Sequence, residues 1–121
     1  MTDQQAPVLD PTVLEALRDS VGGDGAFVVD LVETYLGDAA TQVEAISAAL
    51  GAGDADSLVR PAHTLKGASL TVGATRLGEL ARSIELRARN GEADGTGADA
   101  AAVEDEWRSA DAALRDWLAE Q

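Results

Sequence analysis

Cysteine is absent from the 121-residue chain, and histidine occurs once. Without thiols there is no disulfide and no thiolate metal site. One imidazole alone cannot supply a zinc ligand set. The HExxH pattern is missing, and so is the GxxxxGKS/T loop that cradles nucleotide phosphates, so ATP has no visible binding motif. Asp54 and Asp56 lack the later oxygen ligands and the glycine of a calcium loop. No apolar run approaches the roughly 18 residues that span a bilayer. The N-terminal MTDQQAPVLD has neither the basic nor the apolar region of a signal peptide. The lack of cysteine is compatible with a reducing compartment, and a cytoplasmic setting is the expectation.

Basic residues are scarce as well: nine Lys and Arg stand against 22 Asp and Glu, for a net charge of −13. Such a surface disfavours nucleic acid and anionic membranes. The nine are not spread evenly. Arg60, Lys66, Arg76, Arg82, Arg87 and Arg89 lie within one stretch that holds only two acidic residues, Glu79 and Glu85. Residues 60–89 thus carry +4, and the remainder carries −17. This is either a chance cluster or a local patch for an anion or an acidic partner.

Aromatics make up only 3% of the chain, while Ala, Leu and Val are abundant. That mix favours helices packed through small and branched aliphatic side chains. The length suits one domain over residues 1–121. Asp10-Pro11 reads as an N-cap with proline at the first helical position. Val13, Leu14 and Leu17 follow, and Gly22-Gly23 end this short helix. Asp24 caps a long second helix that carries Val28, Leu31, Val32, Tyr35, Ala39, Val43, Ile46 and Leu50 and ends near Gly53. Asp54 caps a third, ending near Gly73. A fourth, from Ala74 or Thr75, carries Leu77, Leu80, Ala81, Ile84 and Ala88 and stops at Asn90-Gly91. Gly91 to Gly97 reads as a loop. A fifth, from about Ala98, carries Ala101, Val103, Trp107, Ala110, Leu114 and Leu118. The expected fold is all-α: an up-down-up-down four-helix bundle with a short extra N-terminal helix. Residues 1–9 are expected to be flexible.

In the third helix Leu58, Ala62, Leu65, Ser69 and Val72 form one stripe. At about 100° per residue, His63 falls roughly 140° from its centre and should face water. Arg60 and Lys66 lie one turn before and after it, within reach of an anion on the ring. Gly67 leaves bare backbone beside the imidazole. A glycine inside a helix costs about 1 kcal/mol relative to alanine. Its reason is either close approach of another molecule, a bend, or nothing at all. Pro61 is unfavourable within a helix; it suggests a distorted first part and has no evident functional part. An exposed histidine between cations is a poor general base for a serine nucleophile. It suits nucleophilic phosphoryl transfer, in which a neutral ring nitrogen attacks phosphorus and cations stabilise the transferred group.

Ala62-His63-Thr64-Leu65-Lys66-Gly67, Val72-Gly73-Ala74 and Leu77-Gly78-Glu79-Leu80 together resemble the histidine-containing phosphotransfer (HPt) domain family. Ile84-Glu85 through Arg89-Asn90-Gly91 fits the family's next helix. The resemblance implies that residues 54–91 form a phospho-accepting helical hairpin. His63 would carry a phosphoryl group between receiver-domain aspartates, or from a histidine kinase to a receiver, in a two-component phosphorelay. Lys66 would stabilise the phosphoryl group and Gly67 would give the receiver room. Glu85 and Arg89 would orient the imidazole or meet the partner, and Arg60 and Arg82 would join a basic docking face. Leu70-Thr71 depart from the family's usual alanine and asparagine, and Leu70 is either a docking contact or merely exposed. No cofactor is implied beyond Mg2+ supplied by the receiver, and no ATP-dependent kinase activity. The implied partners are response-regulator receivers and a sensor or hybrid histidine kinase, with this chain a monomer. Met1 favours a free-standing protein; the phospho-accepting domain of a chemotaxis-type kinase would read the same way. The competing reading is a bundle that binds a response regulator without being phosphorylated.

Overall fold

The computed structural model describes residues 6–93 and 97–121. Five helices follow in order: α1 (Pro11–Ser20), α2 (Gly25–Ala52), α3 (Ala55–Thr71), α4 (Thr75–Arg89) and α5 (Ala98–Ala119). Three aspartates start the first three. The Asp10 side chain accepts from the Thr12 amide at 3.0 Å, with Pro11 in the first turn. Asp24 accepts from the Phe27 amide at 3.1 Å and Asp54 from the Ser57 amide at 3.1 Å. Each satisfies an amide that the helix itself leaves without a partner.

Short connections make successive helices antiparallel neighbours. α3 packs against α2 and α4, and α5 packs against α2 and α4, which closes a four-helix ring with α1 laid on α2. The core is the set of apolar stripes: Val28, Val32 and Ile46 of α2, Leu58, Ala62 and Leu65 of α3, Leu77, Ala81 and Ile84 of α4, Val103, Ala110 and Leu114 of α5. Ala101, expected in the fifth stripe, is exposed instead. α3 runs unbroken through Pro61, whose ring is buried. Among the described residues no helix is long and apolar enough to cross a membrane.

One polar pair lies inside. The Tyr35 and Ser69 hydroxyls are 2.7 Å apart and buried. Burial pushes the Tyr35 phenol up to about 12, with the Ser69 bond acting the other way. Trp107 of α5 meets the Tyr35 ring edge-on at 6.1 Å. These contacts tie α2, α3 and α5 together directly behind the outer face of α3.

The α3–α4 turn is held from outside. Of the expected flexible segment, residues 1–5 lie outside the described residues, but residues 6–9 are strapped down. The Asp10 amide donates to Gly73 O at 2.8 Å, the Arg76 amide to Pro7 O at 3.0 Å, and Arg76 Nε to Ala6 O at 3.0 Å. Leu9 packs on the core. Backbone amides and carbonyls that find partners here order a stretch whose composition alone reads as a loose end. The expected loop from Gly91 to Gly97 includes residues 94–96, which lie outside the described residues.

Gly73 is indispensable to this strap. Its φ is +85°, and a Cβ there would lie 2.6 Å from Asp10 O. Gly73→Ala should therefore destabilise the protein by at least about 2 kcal/mol, combining a left-handed alanine with a backbone clash. Urea unfolding of the two proteins measures this; a loss below about 0.5 kcal/mol would mean that the strap does not hold the turn.

Candidate functional site

His63 stands where its helical phase puts it, on the outer face of α3, with 60% of its side chain exposed. Across the groove α4 presents Glu85, whose side chain is only 6% exposed. His63 Nδ1 lies 2.9 Å from Glu85 Oε2. Arg89, one turn along α4, places Nε at 3.0 Å and Nη2 at 2.7 Å from that same oxygen. Lys66 Nζ lies 2.9 Å from the other oxygen, Oε1. One buried carboxylate thus gathers the imidazole and two cations.

Burial pushes the Glu85 carboxyl upward, but hydrogen bonds from Lys66, Arg89 and His63 and the Lys66 charge outweigh it and bring it down to about 2. Glu85 is therefore ionised and can only accept. It follows that Nδ1 carries the ring proton and donates it to Oε2. The lone pair of the neutral ring is left on Nε2, which has no partner among the described residues. The groove selects the tautomer and leaves Nε2 on the exposed side of the ring.

The α3–α4 approach that makes this possible rests on Gly78. A Cβ there would lie 2.6 Å from Leu70 Cδ2. Leu70 is consequently half-buried over α4. It packs within the hairpin and keeps part of its surface open. Lys66, expected beside the imidazole, is instead engaged by Glu85. Arg60 is exposed and unpaired among the described residues, and Arg82 pairs with Glu79 at 3.5 Å on its own helix. Arg76 and Arg87 leave the basic face: Arg76 holds the N-terminal strap, and Arg87 binds Asp99 of α5 at 2.7 Å. Gly67 is exposed, and a Cβ there would meet nothing within 4 Å. The protein's own packing does not require that glycine.

Sequence reasoning missed the burial of Glu85 and its hold on Lys66. A signal existed: Glu85 directly follows the core residue Ile84 and is one of only two acidic residues in a basic stretch. The site is an open helix surface. A hollow of about 820 Å³ between α4 and α5, lined by Arg76, Glu79, Leu80 and Glu106, shares no residue with it.

The depressed Glu85 carboxyl stabilises the fold above about pH 4.5, its ordinary value, and that contribution fades as pH falls toward 2. A shift of this size corresponds to on the order of 3 kcal/mol. Glu85→Gln should be the less stable protein at neutral pH, and the gap between the two should close by about that amount between pH 5 and 2 in denaturant melts. Parallel pH curves would contradict the carboxylate-centred cluster.

Comparison with known proteins bears on the family and the fold. The Hpt domain family model matches residues 30–119. Histidine-containing phosphotransfer protein B from Pseudomonas aeruginosa PAO1 superposes with a TM-score of 0.84 at 29% identity, over 97% of this chain and 99% of that one. The HPT domain of an Hpt sensor hybrid histidine kinase from Shewanella shares the fold, with a TM-score of 0.76 at 19% identity over 94% and 96%. No curated protein matches the chain. An outward histidine on a four-helix bundle and a family match over most of the chain agree: this protein belongs to the Hpt domain family.

Proposed function

We propose that His63 is the residue through which this Hpt domain performs histidine phosphotransfer, accepting the phosphoryl group at Nε2. The observation that carries the assignment is the Nδ1 hydrogen bond to an ionised, buried Glu85. The neutral ring attacks an aspartyl phosphate. The Nε2–P bond forms as the O–P bond breaks, and the donor keeps the electron pair as a carboxylate. The ring becomes a cation with its proton still on Nδ1, where Glu85 stabilises the new charge. Onward transfer reverses these changes: a receiver carboxylate forms the O–P bond, and the ring leaves as neutral imidazole. No proton moves in either direction, which suits a carrier that must load and unload with similar ease.

Lys66 has a part in the loaded state. Once the ring is cationic, Glu85 has a second positive group at Oε2 beside Arg89, and Lys66 is free to swing from Oε1 to the phosphoryl oxygens. Gly67 keeps the surface beside Nε2 low enough for the donor to approach in line. Arg60 and Arg82 flank the site with positive charge that suits the acidic pocket of a receiver. Receivers supply the Mg2+, and receivers together with a sensor or hybrid histidine kinase are the partners. The chain acts as a monomer, in the cytoplasm, and does not bind nucleic acid.

Phosphate uptake from a phosphorylated receiver tests the assignment. The wild type should take up acid-labile, alkali-stable label, and His63→Gln should take up none. If neither protein is labelled while receiver binding persists, the chain is an interaction module. Gly67→Ala separates access from folding. It should raise stability by about 0.5–1 kcal/mol, since the position is open and helical. It should also slow transfer at least about tenfold, because small displacements at a reacting centre are costly. Transfer at the wild-type rate would remove the role given to Gly67.

A further inference from the structure

Oε2 of Glu85 carries an unusual load. A carboxylate oxygen offers about two lone-pair directions. Here three N–H groups converge on one oxygen: Nδ1 of His63 at 2.9 Å, and Nε and Nη2 of Arg89 at 3.0 and 2.7 Å. Oε1 receives Lys66 alone. An arginine free to choose would spread its fork over both oxygens. Arg89 instead spends both donors on the atom that holds the imidazole.

We propose that Arg89 is a positioning residue that competes with His63 for Glu85 Oε2, and so weakens the hold of that oxygen on the imidazole. This rests on the reading of His63 as acceptor. An imidazolium held tightly by Glu85 would have no lone pair to attack with. Arg89 opposes that in two ways of the same sign. It withdraws electron density from the shared oxygen, and it sets a positive charge beside the ring. Other charges around the ring are accounted for. On α3, Lys66 is bound to Oε1 and Arg60 lies one turn away; on α4, Arg82 is paired with Glu79. α2 meets α3 from the opposite side, through Tyr35 and Ser69. Among the described residues, no charged side chain of α2 or α5 lies within ion-pair distance of His63, Lys66, Glu85 or Arg89. Arg89 is itself half exposed, with 54% of its side chain open to solvent, so its substitution leaves the core untouched.

The single histidine makes the test direct, because every imidazole NMR signal belongs to His63. The full chain, labelled with 15N, would be compared as wild type, Arg89→Gln and Arg89→Lys. Loss of the competitor should strengthen the remaining bond, so the Nδ1–H proton should move downfield in Arg89→Gln. The acid limb of the rate–pH profile for phosphate uptake should shift to higher pH, the direction expected from removing a positive charge near the ring. Arg89→Lys keeps the charge and should fall between the two. A residue that only met the partner would lower the rate at every pH and move neither signal; that pattern overturns the proposal, and so does a downfield proton with an unmoved acid limb. Failure of the acceptor reading looks different: His63→Gln would still take up label, whatever the Nδ1–H proton does.

Discussion

A carboxylate removed from water is costly unless donors replace the hydration it loses. Glu85 is that carboxylate. Its side chain lies in the α3–α4 groove, and its oxygens are satisfied by His63, Lys66 and Arg89. The dependence runs both ways. Without Glu85 the imidazole has no fixed tautomer, and Lys66 and Arg89 have no common anchor. Without those three donors the groove could not hold an ionised group at all. A chain with a net charge of −13 would gain little from one more exposed acid; burying this one makes it an organiser of cations.

The groove must be narrow for this to work, and the bundle arranges that away from the site. Gly78 lets Leu70 lie over the backbone of α4, and Gly73 lets the N-terminal strap close on the α3–α4 turn. Behind α3, the Tyr35–Ser69 hydrogen bond and the Trp107 edge fix the rotation of the helix about its axis. Rotation of α3 about its axis would change the distance between Nδ1 and Oε2. Interior packing thus reaches the chemistry through one angle.

Much of this was legible in the sequence, for a reason that also marks the limit. Asp10, Asp24 and Asp54 announce helix starts because capping is a local contract between a side chain and an amide three or fewer residues away. The exposure of His63 follows from the periodicity of one helix. Contacts between helices are not local, and there the reading fell short. Lys66 looks like a neighbour of His63 because it is one turn away, yet its partner is 19 residues on. Leu70 packs over Gly78 of the next helix, a neighbour that its own helix does not announce. Residues 6–9 read as a loose end because their anchors, Gly73 and Arg76, are nearly 70 residues distant.

The charge balance of the cluster gives the site its logic as a carrier. Unloaded, Glu85 faces two cations and a neutral ring. Loaded, it would face a cationic ring, and the phosphoryl group would bring about two negative charges into the same space. The cluster can absorb both changes without recruiting a charge from elsewhere. The ring cation would join Arg89 at Oε2, and Lys66 would become available to the phosphoryl oxygens. The net charge of the cluster would change by only about one unit between the two arrangements, which limits how far apart they lie in energy. A carrier that bound its phosphoryl group tightly would stop being a carrier. The buried carboxylate and its surplus of donors are therefore best understood as a means of keeping the two states close in energy, with the partner's aspartate left to decide the direction.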